Sequence, residues 1–252
     1  MPDLKKIVDF LDKELKIAEI KDSSFNGLQV ENSGRIKKIC TGVDASLEFY
    51  RESKNRGANL VICHHGLLWE NSLKRITGNF FEHLSYLIKN DIALYACHLP
   101  LDLHPQHGNN IQICKALKLK HLKKFGLYKG TEIGFEGKFL KPMSYENFKK
   151  LVHETISGTF QTMDFGKKTI KSVAVVSGGA AGEIVEAGKK MVDVYLTGEP
   201  ALFAYNLARE YKINAVFAGH YATEVFGVNA LAGLLKTKFK LETECIDFKI
   251  PY

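Results

Sequence analysis

The sequence predicts an α/β protein of two parts, each a mostly parallel or mixed sheet flanked by helices. Short runs of strand-forming residues alternate with apolar residues at helical spacing through the N-terminal part of the chain. That alternation is typical of strand–helix–strand units and a parallel sheet. It returns from about residue 170, after a middle segment with a different pattern. The length of 252 residues is sufficient for two parts that each bury a core.

The first part begins with an amphipathic helix, because apolar residues recur at helical spacing from Leu4 to Leu15. The pair Asn26-Gly27 is then typical of a turn. The elements that follow are, in order, a strand over 36–43, a helix over 45–56 that Asp44 caps and Gly57 ends, a strand over 59–63, a helix around 80–88 and a strand over 92–97.

The middle segment predicts a loosely alternating edge strand over 131–140, a helix capped by Ser144 and a short strand over 159–163. The later elements are, in order, a strand over 170–176, a turn over 177–182, a helix to about 190, a strand over 192–197, a helix beginning at Pro200, a strand over 213–219, a helix over 223–235 and a strand over 242–248. Lysines and glycines interrupt the pattern over 121–130. We therefore place the division at residue 125, with the first part over 1–125 and the second over 126–252.

Composition excludes several classes of protein. No apolar run approaches the roughly 20 residues that span a bilayer, and the charged N-terminus does not resemble a signal peptide. The five cysteines are widely spaced without a Cys-x-x-Cys pair, which predicts reduced core residues in a cytoplasmic protein. The net charge of +7 would favour nucleic acid or an anionic nucleotide, but the lysines are scattered and no RNA-reading aromatic motif occurs. A solvated basic surface is the simpler interpretation.

Polar side chains follow the predicted strands at the edge where ligands bind in parallel α/β sheets. His64, His65, Asp102, Glu199 and His220 all lie at or after such strand ends. Neighbouring strand residues point to opposite faces, so His64 and His65 can serve one site only if the strand has already ended.

These residues form a mixed nitrogen and oxygen donor set. Glu224 lies four residues after His220, which places both on one face of a helix. Such a set suits Zn²⁺, Fe²⁺ or Mn²⁺ better than Ca²⁺ or Mg²⁺. Five ligands are too many for one catalytic ion with an open position but suit two ions that share a bridging carboxylate, from Glu224 or Asp102.

Each of these residues also has a plainer interpretation. A histidine at a strand end is often only hydrogen-bonded at the surface, and Asp102 can be an ordinary loop residue. His104 and His107 are expected to be exposed or to face a substrate. The glycine-rich segment 177–182 can cradle a phosphate at a helix N-terminus, but it lacks the P-loop pattern, so a tight turn is the better interpretation.

Several motifs together resemble the GTP cyclohydrolase I type 2 family, also called the Nif-three-like or YbgI-like dinuclear-metal-centre family. The resemblance runs nearly from end to end and rests on the order of the motifs. The motifs are Asn26-Gly27-Leu28-Gln29-Val30, Gly42-Val43-Asp44, His64-His65-Gly66, His98 to Asp102 followed by Gly108-Asn109-Asn110, Thr197-Gly198-Glu199, and Gly219-His220 with Glu224.

This resemblance implies two interlinked α/β parts with the metal site between them. It further implies that His64, His65, Asp102, His220 and Glu224 are the ligands of two divalent ions. It also implies a toroidal homohexamer. Some family members are described as converting GTP to 7,8-dihydroneopterin triphosphate and formate, which makes GTP the expected substrate.

The implied reaction adds water at C8 of guanine and then cleaves a C–N bond. Glu224, Glu199 and His98 are the candidates for moving protons. The chain departs from the family pattern in the loop from His104 to His107 and in having Phe25 where Trp is usual. Two other functions fit the same residues: a dinuclear phosphoesterase or nucleotide hydrolase, and a non-enzymatic metal-binding toroid that binds DNA or protein.

Overall fold

The computed structural model describes residues 2–70, 75–156 and 160–251. The strands are β1 (Gly27–Val30), β2 (Lys38–Asp44), β3 (Leu60–His65), β4 (Ala93–Ala96), β5 (Lys120–Tyr128), β6 (Thr131–Ser144), β7 (Gln161–Asp164), β8 (Thr169–Val175), β9 (Val194–Thr197), β10 (Asn214–Phe217) and β11 (Glu242–Cys245). The helices are α1 (Leu4–Glu14), α2 (Leu47–Asn55), α3 (Gly78–Lys89), α4 (Leu99–Leu103), α5 (Asn109–Ala116), α6 (Tyr145–Thr155), α7 (Ile184–Lys189), α8 (Leu202–Glu210) and α9 (His220–Phe239), with a 3-10 turn over Ala181–Glu183.

The chain forms two compact units. The first extends to His104 and includes Gly227–Asp247, and the second is built mainly from Pro105–Phe226. The sequence-based division at residue 125 differs from this in two respects. The first unit ends earlier, at His104. It also includes the C-terminal strand β11, because β11 pairs in parallel with β2. Each unit has its own sheet flanked by helices, which confirms the predicted mixed α/β fold.

The sheet of the first unit has the strand order β1-β4-β3-β2-β11. Strands β4, β3, β2 and β11 are parallel, and β1 joins β4 in antiparallel fashion. β3 and β4 are buried almost throughout, as expected of parallel strands with both faces covered. The carboxyl ends of β2, β3 and β4 therefore deliver Asp44, His64-His65 and, just after β4, His98.

The sheet of the second unit has the order β5-β6-β8-β9-β10-β7. Its centre, β8-β9-β10, is parallel, and antiparallel strands complete both sides. A buried apolar cluster that includes Phe148, Val173 and Val216 forms its core. The carboxyl ends of the three parallel strands lead into Ser177-Gly178, Gly198-Glu199 and Gly219-His220.

Three local predictions need correction. Asp44 does not cap α2, because Ser46 occupies that position and its Oγ accepts a hydrogen bond from Phe49 N. Pro200 lies before α8, whose N-cap is Ala201. The segment over 121–130, taken for a boundary, belongs to β5 and its turn. The cap Ser144 is confirmed, and Thr159 of the predicted strand over 159–163 lies outside the described residues.

In the described ranges, none of the helices combines the length and apolar character needed to cross a bilayer.

Candidate metal centre

In the first unit, a backbone carbonyl fixes the ring of His64. The side chain is completely buried, and its Nδ1 lies 2.9 Å from Cys97 O. A carbonyl oxygen can only accept, so Nδ1 carries the proton and the lone pair of the neutral ring is on Nε2. This is the tautomer of a histidine that binds a metal through Nε2.

A carboxylate holds His65 in the same way. Its Nδ1 lies 2.8 Å from Oδ1 of Asp44, the residue directly opposite His65 in the β2–β3 register. Asp44 thus orients the imidazole and keeps the proton on Nδ1, as a carboxylate behind a metal-ligating histidine does.

Both histidines lie within β3, contrary to the expectation that the strand must end before they can share a site. Their ring centroids are nevertheless only 4.8 Å apart, with the planes inclined by 46°. The rings of His64 and His65 therefore lie close together although both residues belong to the strand.

The loop after His65 is fixed by Gln29. The Gln29 side chain accepts hydrogen bonds from Leu67 N and Leu68 N and donates to Phe25 O and Leu68 O. A Cβ on Gly66 would overlap with this amide and with Ala96 Cβ. Glycine is therefore required immediately after the two histidines, for steric reasons.

His98 is the third imidazole of the first unit, and a buried carboxylate anchors it. Its Nδ1 lies 3.0 and 3.1 Å from the two oxygens of Asp22, whose side chain is only 2% exposed. Burial opposes ionisation of Asp22, but the hydrogen bond and charge of His98, with Asn26 and Leu99 N, outweigh it and hold its pKa well below the usual range.

These three imidazoles form a cluster that suits a transition metal. Each of His64, His65 and His98 offers one ligand atom, and these atoms lie within 4.8 Å of one another. Nitrogens that bind one zinc at about 2.0–2.1 Å are separated by up to about 4 Å, so a spread of up to 4.8 Å fits two adjacent ions better than one. Asp102 adds a carboxylate, because its Oδ2 lies 3.5 Å from His64 Nε2.

His104 is not exposed as expected. It is buried, and its Nε2 lies 3.3 Å from Glu14 Oε1 on α1. The pair fastens the end of α4 to α1, which is a structural role. His107 is half-buried.

In the second unit, His220 is the first residue of α9 and lies between two carboxylates. Its Nδ1 is 2.8 Å from Glu199 Oε1, and its Nε2 is 3.1 Å from Glu224 Oε1. Burial lowers the pKa of His220, but the hydrogen bonds and charges of Glu224 and Glu199 outweigh burial and raise the pKa to about 9. A metal ion that binds to Nε2 of His220 must therefore displace a proton.

Glu224 is almost fully buried one helical turn after His220, as its spacing predicts. A buried carboxylate is costly unless a positive charge or hydrogen-bond donors compensate it. In this structure the imidazolium of His220 supplies such a charge, and a divalent cation would supply a larger one.

The glycine-rich segment packs against these two side chains. Gly178 has φ +68°, and a Cβ there would clash with Glu224 Oε1 and lie 3.1 Å from His220 Nε2. Gly178 N donates to Thr223 Oγ1, and Thr197 Oγ1 donates to Gly178 O. The tight-turn interpretation of 177–182 thus agrees with the structure, and the turn bounds the His220–Glu224 pair.

The candidate residues are divided between the units. His64, His65, His98 and Asp102 lie together in the first, and His220, Glu224 and Glu199 lie together in the second. Sequence reasoning missed the roles of four residues around these histidines. They are Asp22, Gln29, Asp44 as the partner of His65, and Trp69, whose ring centroid lies 6.1 Å from that of His65. Asp44 carried a readable signal, since it ends the strand beside β3.

Comparison with known proteins places the chain in a family. A family model described as Duf34/NIF3 (NGG1p interacting factor 3) matches residues 2–251. A protein of Pyrococcus horikoshii named GTP cyclohydrolase 1 type 2 homolog is 40% identical over 246 residues, covering 97% of this chain and 98% of that protein. One of the same name from Pseudomonas aeruginosa is 36% identical over 248 residues, covering 98% of both.

Solved structures agree. The protein ybgI, described as of unknown function, has a TM-score of 0.93 and 32% identity over the whole of both chains. TTHA1606 from Thermus thermophilus has a TM-score of 0.88 and 30% identity, covering 97% of this chain and 98% of that one. The resemblance inferred from the motifs is confirmed: the chain belongs to the Duf34/NIF3 (NGG1p interacting factor 3) family.

Proposed function

We propose that this chain is a dinuclear metal-dependent hydrolase that converts GTP to 7,8-dihydroneopterin triphosphate and formate. One observation carries the proposal. The three histidines among the proposed ligands, His64, His65 and His220, each hold Nδ1 against a carbonyl or carboxylate oxygen at 2.8–2.9 Å, which directs Nε2 towards a metal ion. The name shared by the relatives supports the choice of GTP.

The proposed ligands of two Zn²⁺, Fe²⁺ or Mn²⁺ ions are His64, His65, Asp102, His220 and Glu224. Their nitrogen and oxygen atoms are the donor types that these metals accept. The carboxylates of Asp102 and Glu224 each have two oxygens and are nearly buried, so either can bridge two ions.

Two further residues have separate proposed roles. The pairing of His98 with buried Asp22 fixes the ring, which suits His98 to accept and return a proton during C–N cleavage. Glu199 hydrogen-bonds His220 Nδ1, so we assign it to positioning His220 rather than to proton transfer.

When bound, a pair of divalent ions supplies activated water and stabilises developing negative charge. The protein fixes the tautomers of the ligating histidines and provides His98 as the acid and base. The net charge of +7 favours the binding of a triphosphate.

Following the family resemblance, we also propose a homohexameric ring. The buried free thiols Cys40, Cys63, Cys97 and Cys114 support a reducing, cytoplasmic location.

The test is GTP turnover by the purified protein loaded separately with Zn²⁺, Fe²⁺ and Mn²⁺. Pterin fluorescence after oxidation should appear with at least one metal and be lost in His64→Ala and Glu224→Ala. The exposed His153 on α6 provides a matched control, and His153→Ala should retain activity.

Other outcomes would select the alternative functions. Phosphate release without loss of guanine absorbance indicates a phosphoesterase. Salt-dependent DNA binding that survives His64→Ala, with no nucleotide turned over, indicates a non-enzymatic protein. No pterin with any of the three metals, in a folded oligomer, contradicts the proposal. Light scattering checks the hexamer.

A further inference from the structure

Trp69 lies against the imidazole cluster of the first unit. Its ring centroid is 5.0 Å from that of His98, in an edge-to-face arrangement, and 6.1 Å from that of His65. The indole is only partly buried and does not belong to the hydrophobic core. A large apolar ring thus lies beside the polar side chains of the candidate site.

Hydrogen bonds fix both the side chain and the backbone of Trp69. The indole Nε1 donates to Gly66 O at 2.9 Å, which fixes the plane of the indole. Phe25 N donates to Leu68 O and Glu70 N donates to Ser23 O, so this loop pairs with the segment before β1. The Gln29 side chain, already described, fixes the same loop from within.

A fixed, partly exposed indole is well suited to bind another flat ring. Every nucleobase has a π-face, and stacking on an aromatic side chain is tolerant of base identity. Because the indole adjoins His65 and His98, a ring stacked on it would lie next to the candidate ligands.

We propose that Trp69 is the base-binding residue of this site and stacks on the purine ring of the substrate. This inference rests on the proposed function in taking a purine nucleotide as the substrate. Trp69 binds the base in this proposal, and other groups bind the triphosphate.

The chain contains one tryptophan, so tryptophan emission reports on Trp69 alone. We expect GTP and guanosine to quench this emission saturably, after correction for nucleotide absorbance, and tripolyphosphate to leave it unchanged. This measurement requires neither turnover nor a variant.

Variants separate stacking from general disturbance of the site. Trp69→Leu should weaken GTP binding, measured by calorimetry, about 10-fold, whereas Trp69→Phe retains an aromatic face and should lose less. The matched control is Phe81→Leu on α3, which removes an aromatic side chain that is 54% exposed and should leave affinity unchanged. Metal content is measured in each variant, because Trp69 adjoins His65.

The outcomes distinguish this inference from the proposed function. Saturable quenching by guanosine without pterin formation supports base binding and contradicts the cyclohydrolase. Pterin formation with an unchanged KM in Trp69→Leu supports the cyclohydrolase and overturns the role of Trp69. Equal quenching by tripolyphosphate and guanosine also overturns it.

Discussion

Replacing Asp22 by Asn should destabilise the first unit although the two side chains have the same shape. The carboxylate accepts hydrogen bonds from His98 Nδ1, Asn26 Nδ2 at 2.8 Å, Leu99 N at 3.0 Å and Ser24 N at 3.3 Å. An amide has one accepting oxygen, so its NH₂ group would face one of these donors. The variant also removes the negative charge opposite His98.

The expected cost is about 3 kcal/mol. A hydrogen bond to a charged group contributes about 1.5–3 kcal/mol, and a buried donor left without an acceptor adds about 1–3 kcal/mol. For a chain of this size, 3 kcal/mol corresponds to a fall in Tm of roughly 6–12 °C. The matched control is Asp44→Asn, which removes a similar partner of a histidine at a position 47% exposed and should cost less than about 1 kcal/mol.

The pH dependence has a definite sign. The pKa of Asp22 is lower in the folded protein than in the unfolded chain, so its contribution is fully present above about pH 4 and is lost as the pH falls through the folded pKa. Thermal melts followed by circular dichroism should therefore show a large difference between wild type and Asp22→Asn at pH 7 that shrinks near pH 3. A difference below about 1 kcal/mol at pH 7, or one that grows in acid, would refute the reasoning.

Three further changes should have distinct effects. Asp44→Asn should weaken metal binding roughly 10–100-fold in equilibrium dialysis, because it removes the carboxylate that orients His65. Asp193→Asn should cost about 1–3 kcal/mol in denaturant unfolding, since Asp193 accepts hydrogen bonds from two backbone amides of β8. Burial opposes ionisation of Asp193, but these and other hydrogen bonds lower its pKa, so the cost should be full above about pH 4 and fade in acid. Gly178→Ala should reduce the bound metal, measured by elemental analysis, because its φ of +68° is unfavourable for alanine and the new Cβ would displace Glu224.

Each of these has an outcome that contradicts it. Unchanged affinity in Asp44→Asn would show that His65 needs no partner to bind metal. An Asp193→Asn variant as stable as wild type at pH 7 would remove the assigned role of that carboxylate. Normal metal content in Gly178→Ala would show that the turn does not shape the Glu224 position.

The strand ends and their histidines could be predicted because buried parallel strands have a strong local signal. The partners of those histidines depend on tertiary structure. Asp44 was taken for a helix cap, since aspartate before a helix usually is one, but Ser46 is closer to the helix and caps it. The carboxylate is thereby available to His65 on the next strand.

Two other differences have physical causes. β5 was missed because an exposed edge strand rich in lysine lacks the alternation of a half-buried strand, and such lysines protect sheet edges from pairing with other chains. The pairing of β11 with β2 joins residues about two hundred positions apart, and no local pattern indicates it. Trp69 had no motif of its own, and only the structure shows its contact with His65 and His98.

We propose above that the ligating histidines and the buried carboxylates bind two metal ions per chain. The most direct measurement is elemental analysis of the purified protein after equilibrium dialysis against Mn²⁺ or Zn²⁺. Two ions per wild-type chain, retained in His153→Ala and lost in His64→Ala and Glu224→Ala, is the predicted result. Less than one ion per folded chain, or full occupancy in His64→Ala and Glu224→Ala, would contradict it.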